Sequence, residues 1–139
     1  MGQIRDIMGK NVITIEHDKT SLDAACLMEK NGISFLVVLK NEEPIGIVTE
    51  RDFVRKLVAR DKSASKVLLS EIMSYKFRSV EPSTEIEDAV QKMLNNKIRR
   101  LLVLDNGKLV GAITQTDLTS YLRSKLLIEG TIENLAEED

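Results

Sequence analysis

The chain has no tryptophan, and aromatic residues make up only 4% of its 139 positions. Its core must therefore be aliphatic, built from Ile, Leu, Val, Met and Ala. It has one cysteine, Cys26, which excludes an intrachain disulfide. Cys26 stands among Ala24, Ala25 and Leu27 on a helical pattern and reads as a buried structural thiol. The single histidine, His17, lies in a polar turn between Glu16 and Asp18 and reads as a solvated imidazole rather than a general base. No nucleophile, base and orienting group stand in a recognisable set, and no His/Cys cluster has metal-ligand spacing. A Walker-type phosphate loop is also missing, so the expectation is a protein that is not an enzyme and holds no metal. No apolar run approaches the roughly 18 residues of a membrane span, and the opening MGQIRDIMGK has no apolar signal core. Asp6 stands where a myristoylation motif beginning at Gly2 needs Ser or Thr. The expected location is cytoplasmic, without membrane association. Net charge is −2, which supplies no general attraction to nucleic acid. The one basic-looking stretch, Arg51 to Lys66, also carries Asp52 and Asp61 and reads as a solvated helix face followed by a connector.

What the chain does have is a repeat. IGIVTERDF at Ile45–Phe53 lies over VGAITQTDL at Val110–Leu118, with an offset of 65 residues. The same offset pairs Ile7-Met8 with Ile72-Met73, Asp23-Ala24 with Asp88-Ala89, Met28 with Met93, and Ile33 with Ile98. It also pairs Val38-Leu39 with Val103-Leu104 and Asn41 with Asn106, and no gap is needed. Chance matches among aliphatics are easy. Gly, Thr and Asp recurring at one spacing and in one register are not.

Each copy reads as β-α-β-β-α. The opening strands are Val12–Ile15 and Phe77–Val80. An amphipathic helix follows, with Ile86, Ala89, Val90, Met93 and Leu94 as the apolar face in the second copy. In the first copy the face reads, less cleanly, as Leu22, Ala25, Cys26 and Glu29. Phe35–Leu39 and Leu101–Leu104 are short, nearly continuous aliphatic runs, which suit strands buried on both faces. The turns are Lys40-Asn41-Glu42-Glu43 and Asp105-Asn106-Gly107-Lys108, and Asn-Gly is a strong hairpin signal. Strands Ile45–Val48 and Leu109–Ile113 lead to helices starting at Thr49 and Thr114. Leu118, Tyr121, Leu122 and Leu126 form the apolar face of the last helix. The expected organisation is repeat one at 1–60, a connector at 61–69, repeat two at 70–128, and an acidic C-terminal tail at 129–139. One repeat of about 60 residues is marginal for a stable core, so the two are expected to pack through their sheets as one α/β (α+β) module.

The segment hhGhhTxxDh, with h apolar, carries the possible chemistry. It has two readings. In the first, Thr49 with Asp52 and Thr114 with Asp117 are helix-capping boxes, and Gly46 and Gly111 serve tight strand packing. In the second, free amides, a hydroxyl and a carboxylate converge at a helix start to hold a ligand. A carboxylate can accept two hydrogen bonds from the vicinal diol of a ribose, and a glycine lets a flat ring approach the backbone. The two readings are compatible.

With NGISFLVVL and NKIRRLLVL ahead of these motifs, and IRDIMGKNVITI and LSEIMSYKFRSV opening the copies, the chain resembles the CBS domain family. The form it resembles is the tandem CBS pair, or Bateman module, from Ile4 to about Leu122. The resemblance implies two pseudo-twofold-related repeats and a stand-alone regulatory module that senses metabolite or energy state. The implied ligand is an adenosine-containing molecule (AMP, ADP, ATP or S-adenosylmethionine), bound in the inter-repeat cleft as a regulator rather than as a catalytic cofactor. It also implies a homodimer, as a disc of four repeats, and a separate effector protein. A purely structural dimerisation or protein-interaction module is the alternative.

Carried over residue by residue, the resemblance assigns one site to Asp52, Thr49, Arg51 and Ile47. Ile98, Arg100, Phe77 and Ser79 would complete it from the other repeat. The second site falls to Asp117, Thr114, Thr116 and Ala112, with Ile33, Arg99, Val12 and Thr14. The aspartates would hold ribose hydroxyls, Ile98 and Ile33 would line adenine, and the stretches 77–79 and 12–14 would contact adenine through the backbone. Arg99 and Arg100 would meet phosphate, for which a guanidinium fork is suited. Adjacent strand residues face opposite ways, so one arginine can serve each site; the other reading of the pair is strand-edge salt bridging. Val37 and Leu102 stand where many relatives have Pro. Ser34-Phe35 stands where the second copy has Arg99-Arg100, so the two sites are inequivalent.

Overall fold

The computed structural model describes residues 2–128. Strand β1 (Thr14–Glu16) is followed by helix α1 (Ser21–Asn31), strands β2 (Phe35–Lys40) and β3 (Glu43–Thr49), and helix α2 (Glu50–Lys56). The second copy runs β4 (Ser79–Val80), α3 (Ile86–Asn96), β5 (Arg100–Asp105), β6 (Lys108–Thr114) and α4 (Gln115–Ile128). Two three-stranded sheets result, ordered β1-β2-β3 and β4-β5-β6. β1 runs parallel to β2, with Thr14 opposite Val37, and β2 and β3 form an antiparallel hairpin. β4 runs parallel to β5. In the centre of each sheet Leu36, Val37 and Val38, and Leu101, Leu102 and Val103, are fully buried. The continuous aliphatic runs thus form strands covered on both faces, as their pattern requires.

The chain divides into two compact units that do not follow the order of the sequence. One comprises Asn11–Phe77 and Asn106–Leu109. The other comprises the described parts of Met1–Lys10, Arg78–Asp105 and Val110–Asp139. In the first unit Ala24, Met28, Leu36, Val38 and Val48 pack with Val67, Leu69, Ile72 and Met73. The segment before the second opening strand therefore completes the core of the first repeat. In the other unit Ile4, which is fully buried, packs with Val80, Ile86, Ala89, Met93, Leu101, Val103 and Ile113. The opening segment of the chain thus lies with the second repeat.

Several readings of single side chains are corrected. α1 buries Ser21, Ala24 and Met28 and turns Leu22 and Cys26 to solvent. The 65-residue offset places these buried positions on Ile86, Ala89 and Met93, so register decides the face where side-chain polarity misleads. Cys26 is an exposed thiol, not a core one. In the second copy Leu94 and Leu122 are exposed, while Ile86, Ala89 and Met93 carry the α3 face. His17 is half-buried rather than fully solvated, and its Nδ1 is shielded without a partner. The expected acidic tail, 129–139, lies outside the described residues.

Local chemistry accounts for the element ends. Thr20 caps α1, its hydroxyl accepting from the Asp23 amide at 3.1 Å while Asp23 accepts from the Thr20 amide at 3.0 Å. The Thr20 amide, and then its hydroxyl, hold the Asp23 carboxyl below its usual pKa. The contribution of this cap is therefore present above the ordinary carboxylate range and lost as pH falls through the lowered value. α1 ends at Gly32, with φ +60°, where α3 ends at Lys97, with φ +53°. Both hairpins close on two residues of positive φ, Asn41-Glu42 and Asn106-Gly107. Glu42 takes the conformation that favours glycine, at φ +67°. Glu42→Gly is expected to stabilise the protein by about 0.5–1 kcal/mol, read as a raised melting temperature in thermal denaturation.

Candidate functional site

β3 and β6 deliver each threonine of the motif to the start of a helix. In the first repeat the Thr49 amide donates to Asp52 Oδ2 at 2.8 Å, and the Thr49 hydroxyl donates to the same oxygen at 3.2 Å. In the second repeat the corresponding distances from Thr114 to Asp117 Oδ2 are 2.9 and 3.1 Å. The Asp117 amide returns a longer bond of 3.4 Å to the Thr114 hydroxyl. The capping geometry is thus present in both repeats, with one carboxylate oxygen taking both bonds. The next amide of each helix is anchored as well: Glu50 N–H donates to the Ser34 carbonyl and Gln115 N–H to the Arg99 carbonyl, at 3.0 and 3.1 Å.

The second carboxylate oxygen differs between copies. Asp52 Oδ1 lies 3.1 Å from Lys56 Nζ, one helical turn along α2. Lys56 Nζ also donates to the Ile72 carbonyl at 2.8 Å. Tyr121 occupies the position equivalent to Lys56, so no lysine one turn along α4 faces Asp117. Sequence reasoning missed Lys56, although the Asp-to-Lys spacing of four was its signal.

The glycines of the motif serve the chain's own packing. A Cβ on Gly46 would stand 2.7 Å from the Ser74 carbonyl oxygen and 3.3 Å from Met73 Sδ. On Gly111 it would stand 2.7 Å from the Gly9 carbonyl oxygen and 2.8 Å from Met8 Sδ. The adjoining backbone groups are tied: Ile47 and Ser74 exchange bonds of 2.9 and 2.8 Å, and Ala112 and Gly9 exchange bonds of 3.0 and 2.9 Å. Of the two readings of these glycines, the structure bears out close packing.

The remaining expected site residues are distributed as follows. Thr49, Asp52, Arg51, Ile47 and Phe77 lie in one unit, together with Ile33, Val12 and Thr14. Asp117, Thr114, Thr116, Ala112 and Arg99 lie in the other, together with Ile98, Arg100 and Ser79. Arg51 and Thr116 are exposed, whereas Ala112 is buried. Ile33 lines a groove with Glu50 and Phe53 of its own repeat. Ile98 and Arg99 line the equivalent groove with Gln115 and Leu118. The Ser79 carbonyl accepts from Lys92 Nζ at 2.7 Å, a second lysine contact that the sequence did not reveal. Among the described residues no cluster of three metal-ligating side chains occurs, and no helix is long and apolar enough to cross a membrane.

Comparison with known proteins places these features. The sequence model of the CBS domain matches residues 4–59 and again 69–124. An uncharacterised protein of Methanopyrus kandleri is 39% identical over 117 residues, which are 83% of this chain and 60% of the relative. The chain thus spans only part of that relative's length. A solved structure of a protein with CBS domains from Burkholderia ambifaria is 35% identical, with a TM-score of 0.80, covering 87% of this chain and 93% of its own. The CBS domain pair of protein MJ0100, solved with 5′-methylthioadenosine and S-adenosyl-L-methionine, has a TM-score of 0.80 at 24% identity, covering 90% and 98%.

Proposed function

From a chain that belongs to the CBS domain family as a tandem pair, we propose a non-catalytic regulatory module that binds an adenosine-containing ligand and passes its occupancy to a partner protein. The carrying observation is the twice-built carboxylate at a helix start. One oxygen of each aspartate is committed to the cap; the other is the oxygen we assign to a diol, which at Asp52 it would share with Lys56. A vicinal diol offers two O–H donors to such a group, and hydrogen bonds to a charged acceptor are worth about 1.5–3 kcal/mol each. The adenosyl ligands in the MJ0100 pair support the same class of ligand at the level of the fold.

Asp52 with Thr49, and Asp117 with Thr114, are the residues we assign to ribose. Arg51, exposed on the first turn of α2, is suited to a phosphate. Lys56 adds a cation beside Asp52 only, so the two sites are not equal: one suits a ligand that also carries negative charge, the other a ligand recognised by its diol. The complete capping boxes favour a second reading, in which the motif only secures helix starts and the module acts in dimerisation or protein interaction.

Titration calorimetry of the protein with AMP, ADP, ATP, NAD and S-adenosylmethionine separates the two. Saturable binding of one of them is the expected result. A ligand at 100 times its dissociation constant should also add about 2.7 kcal/mol to stability. No heat and no thermal shift with any of the five leaves the structural reading.

A further inference from the structure

Lys56 joins two distant parts of the first repeat's unit. Its ammonium lies 3.1 Å from Asp52 Oδ1 and donates at 2.8 Å to the carbonyl of Ile72. Ile72 belongs to the segment 69–77, which leads from the core of the first repeat toward the opening strand of the second. Leu69, Ile72 and Met73 are buried in that core. Beyond them Tyr75 is 60% exposed, and Lys76 is exposed as well. Among the described residues the Ile72 carbonyl has no other hydrogen bond. An enclosed carbonyl that loses its partner is costly. Lys56 thus holds the place where the buried part of the segment gives way to the exposed part.

The second repeat has no counterpart of this link. Tyr121 stands at the position of Lys56, and Ile7 at that of Ile72. Tyr121 packs against the core of its own unit.

An ammonium has three N–H donors. Asp52 and Ile72 take two of them, and the Lys56 side chain is 38% exposed, so the third can meet an anion arriving from solvent. We propose that Lys56 couples a phosphate bound at Asp52 to the docking of the segment 72–77, and that the Asp117 site has no such coupling. The inference rests on the ligand reading above and adds how one of its two sites passes on occupancy. The coupling is positive. Ordering a long lysine side chain costs rotamer entropy. Phosphate and carbonyl use the same placed ammonium, so whichever engages second finds the side chain already ordered. By reciprocity the docked segment raises phosphate affinity by the factor with which phosphate favours docking.

Hydrogen exchange of the full chain tests it. The amides of Ile72 and Met73 donate to the Leu69 carbonyl and that of Ser74 to the Ile47 carbonyl, so their exchange reads the docking of the segment. The equivalent amides of Ile7, Met8 and Gly9 donate to the Ile4 and Ala112 carbonyls and serve as the internal control for general stabilisation. The probes are AMP, ADP, ATP and NAD, each first titrated by calorimetry. A bound probe is expected to slow exchange at 72–74 about tenfold more than at 7–9. In Lys56→Met, at a probe concentration raised to saturation, the two segments are expected to shift alike. Lys56→Gln takes its place if that variant does not fold or does not saturate. A bound probe that slows both segments equally in the wild type overturns the coupling and leaves the ligand reading standing. So does a difference that persists without the lysine. Absence of heat from all four probes also overturns the coupling, and titration with S-adenosylmethionine then decides separately whether the ligand reading survives.

Discussion

Gly111→Ala is expected to lower stability by about 2–3 kcal/mol, a fall in melting temperature of roughly 5–10 °C for a chain of this size. The added Cβ would lie 2.7 Å from the Gly9 carbonyl oxygen and 2.8 Å from Met8 Sδ. A methionine tail can swing aside. The carbonyl cannot, because Gly9 exchanges two backbone hydrogen bonds with Ala112, the neighbour of the substituted residue. Relief therefore requires the segment around Gly9 to lift. That segment also carries Ile4, wholly enclosed in the core of the second repeat's unit. Gly46→Ala is expected to act alike, against the Ser74 carbonyl and Met73. Thermal denaturation of the two variants is the check. An unchanged melting temperature in Gly111→Ala would mean that the opening segment is not docked against β6.

This pair of glycines also marks where reading the sequence stopped. The repeat was legible because it needed no gap, and with it came the order of strands and helices. The buried strands were legible because continuous aliphatic runs leave few alternatives. Sequence alone could not say that Ile7-Met8 and Ile72-Met73, already recognised as equivalent, each lie against a motif strand. A match between repeats reports equivalence, not contact. The buried face of α1 was misread for a related reason. Leu22 and Cys26 look more apolar than Ser21, yet Ser21 occupies the enclosed position equivalent to Ile86. The repeat register, already in hand, was the stronger constraint. Lys56 was legible in part, by its spacing of four from Asp52; its second contact, with the Ile72 carbonyl, was not. No pattern in one chain joins residues 56 and 72.

Asp117→Asn and Asp117→Ala are expected to separate cap from ligand. An asparagine side chain keeps an oxygen that can accept from the Thr114 amide, so the cap survives and stability changes little, since Asn and Asp cap about equally well. Alanine removes the acceptor and is expected to cost about 1 kcal/mol. For the proposed ligand the two substitutions converge. Both abolish the charged acceptor for the diol, and loss of one such bond is expected to weaken binding about tenfold or more. Calorimetry and thermal melting on the same samples therefore give a distinctive pattern, with affinity lost in both variants and stability lost in one. If asparagine preserves affinity, the aspartate is only a cap. The same pair at Asp52 has a further consequence, because Lys56 lies 3.1 Å from the oxygen a diol would need. Lys56→Ala frees that oxygen and removes a cation. It is expected to strengthen binding of adenosine at this site while weakening binding of AMP, whose phosphate loses a counter-charge. A change of the same sign for both ligands would mean that Lys56 does not face the bound molecule, and that its contact with Asp52 serves the helix alone.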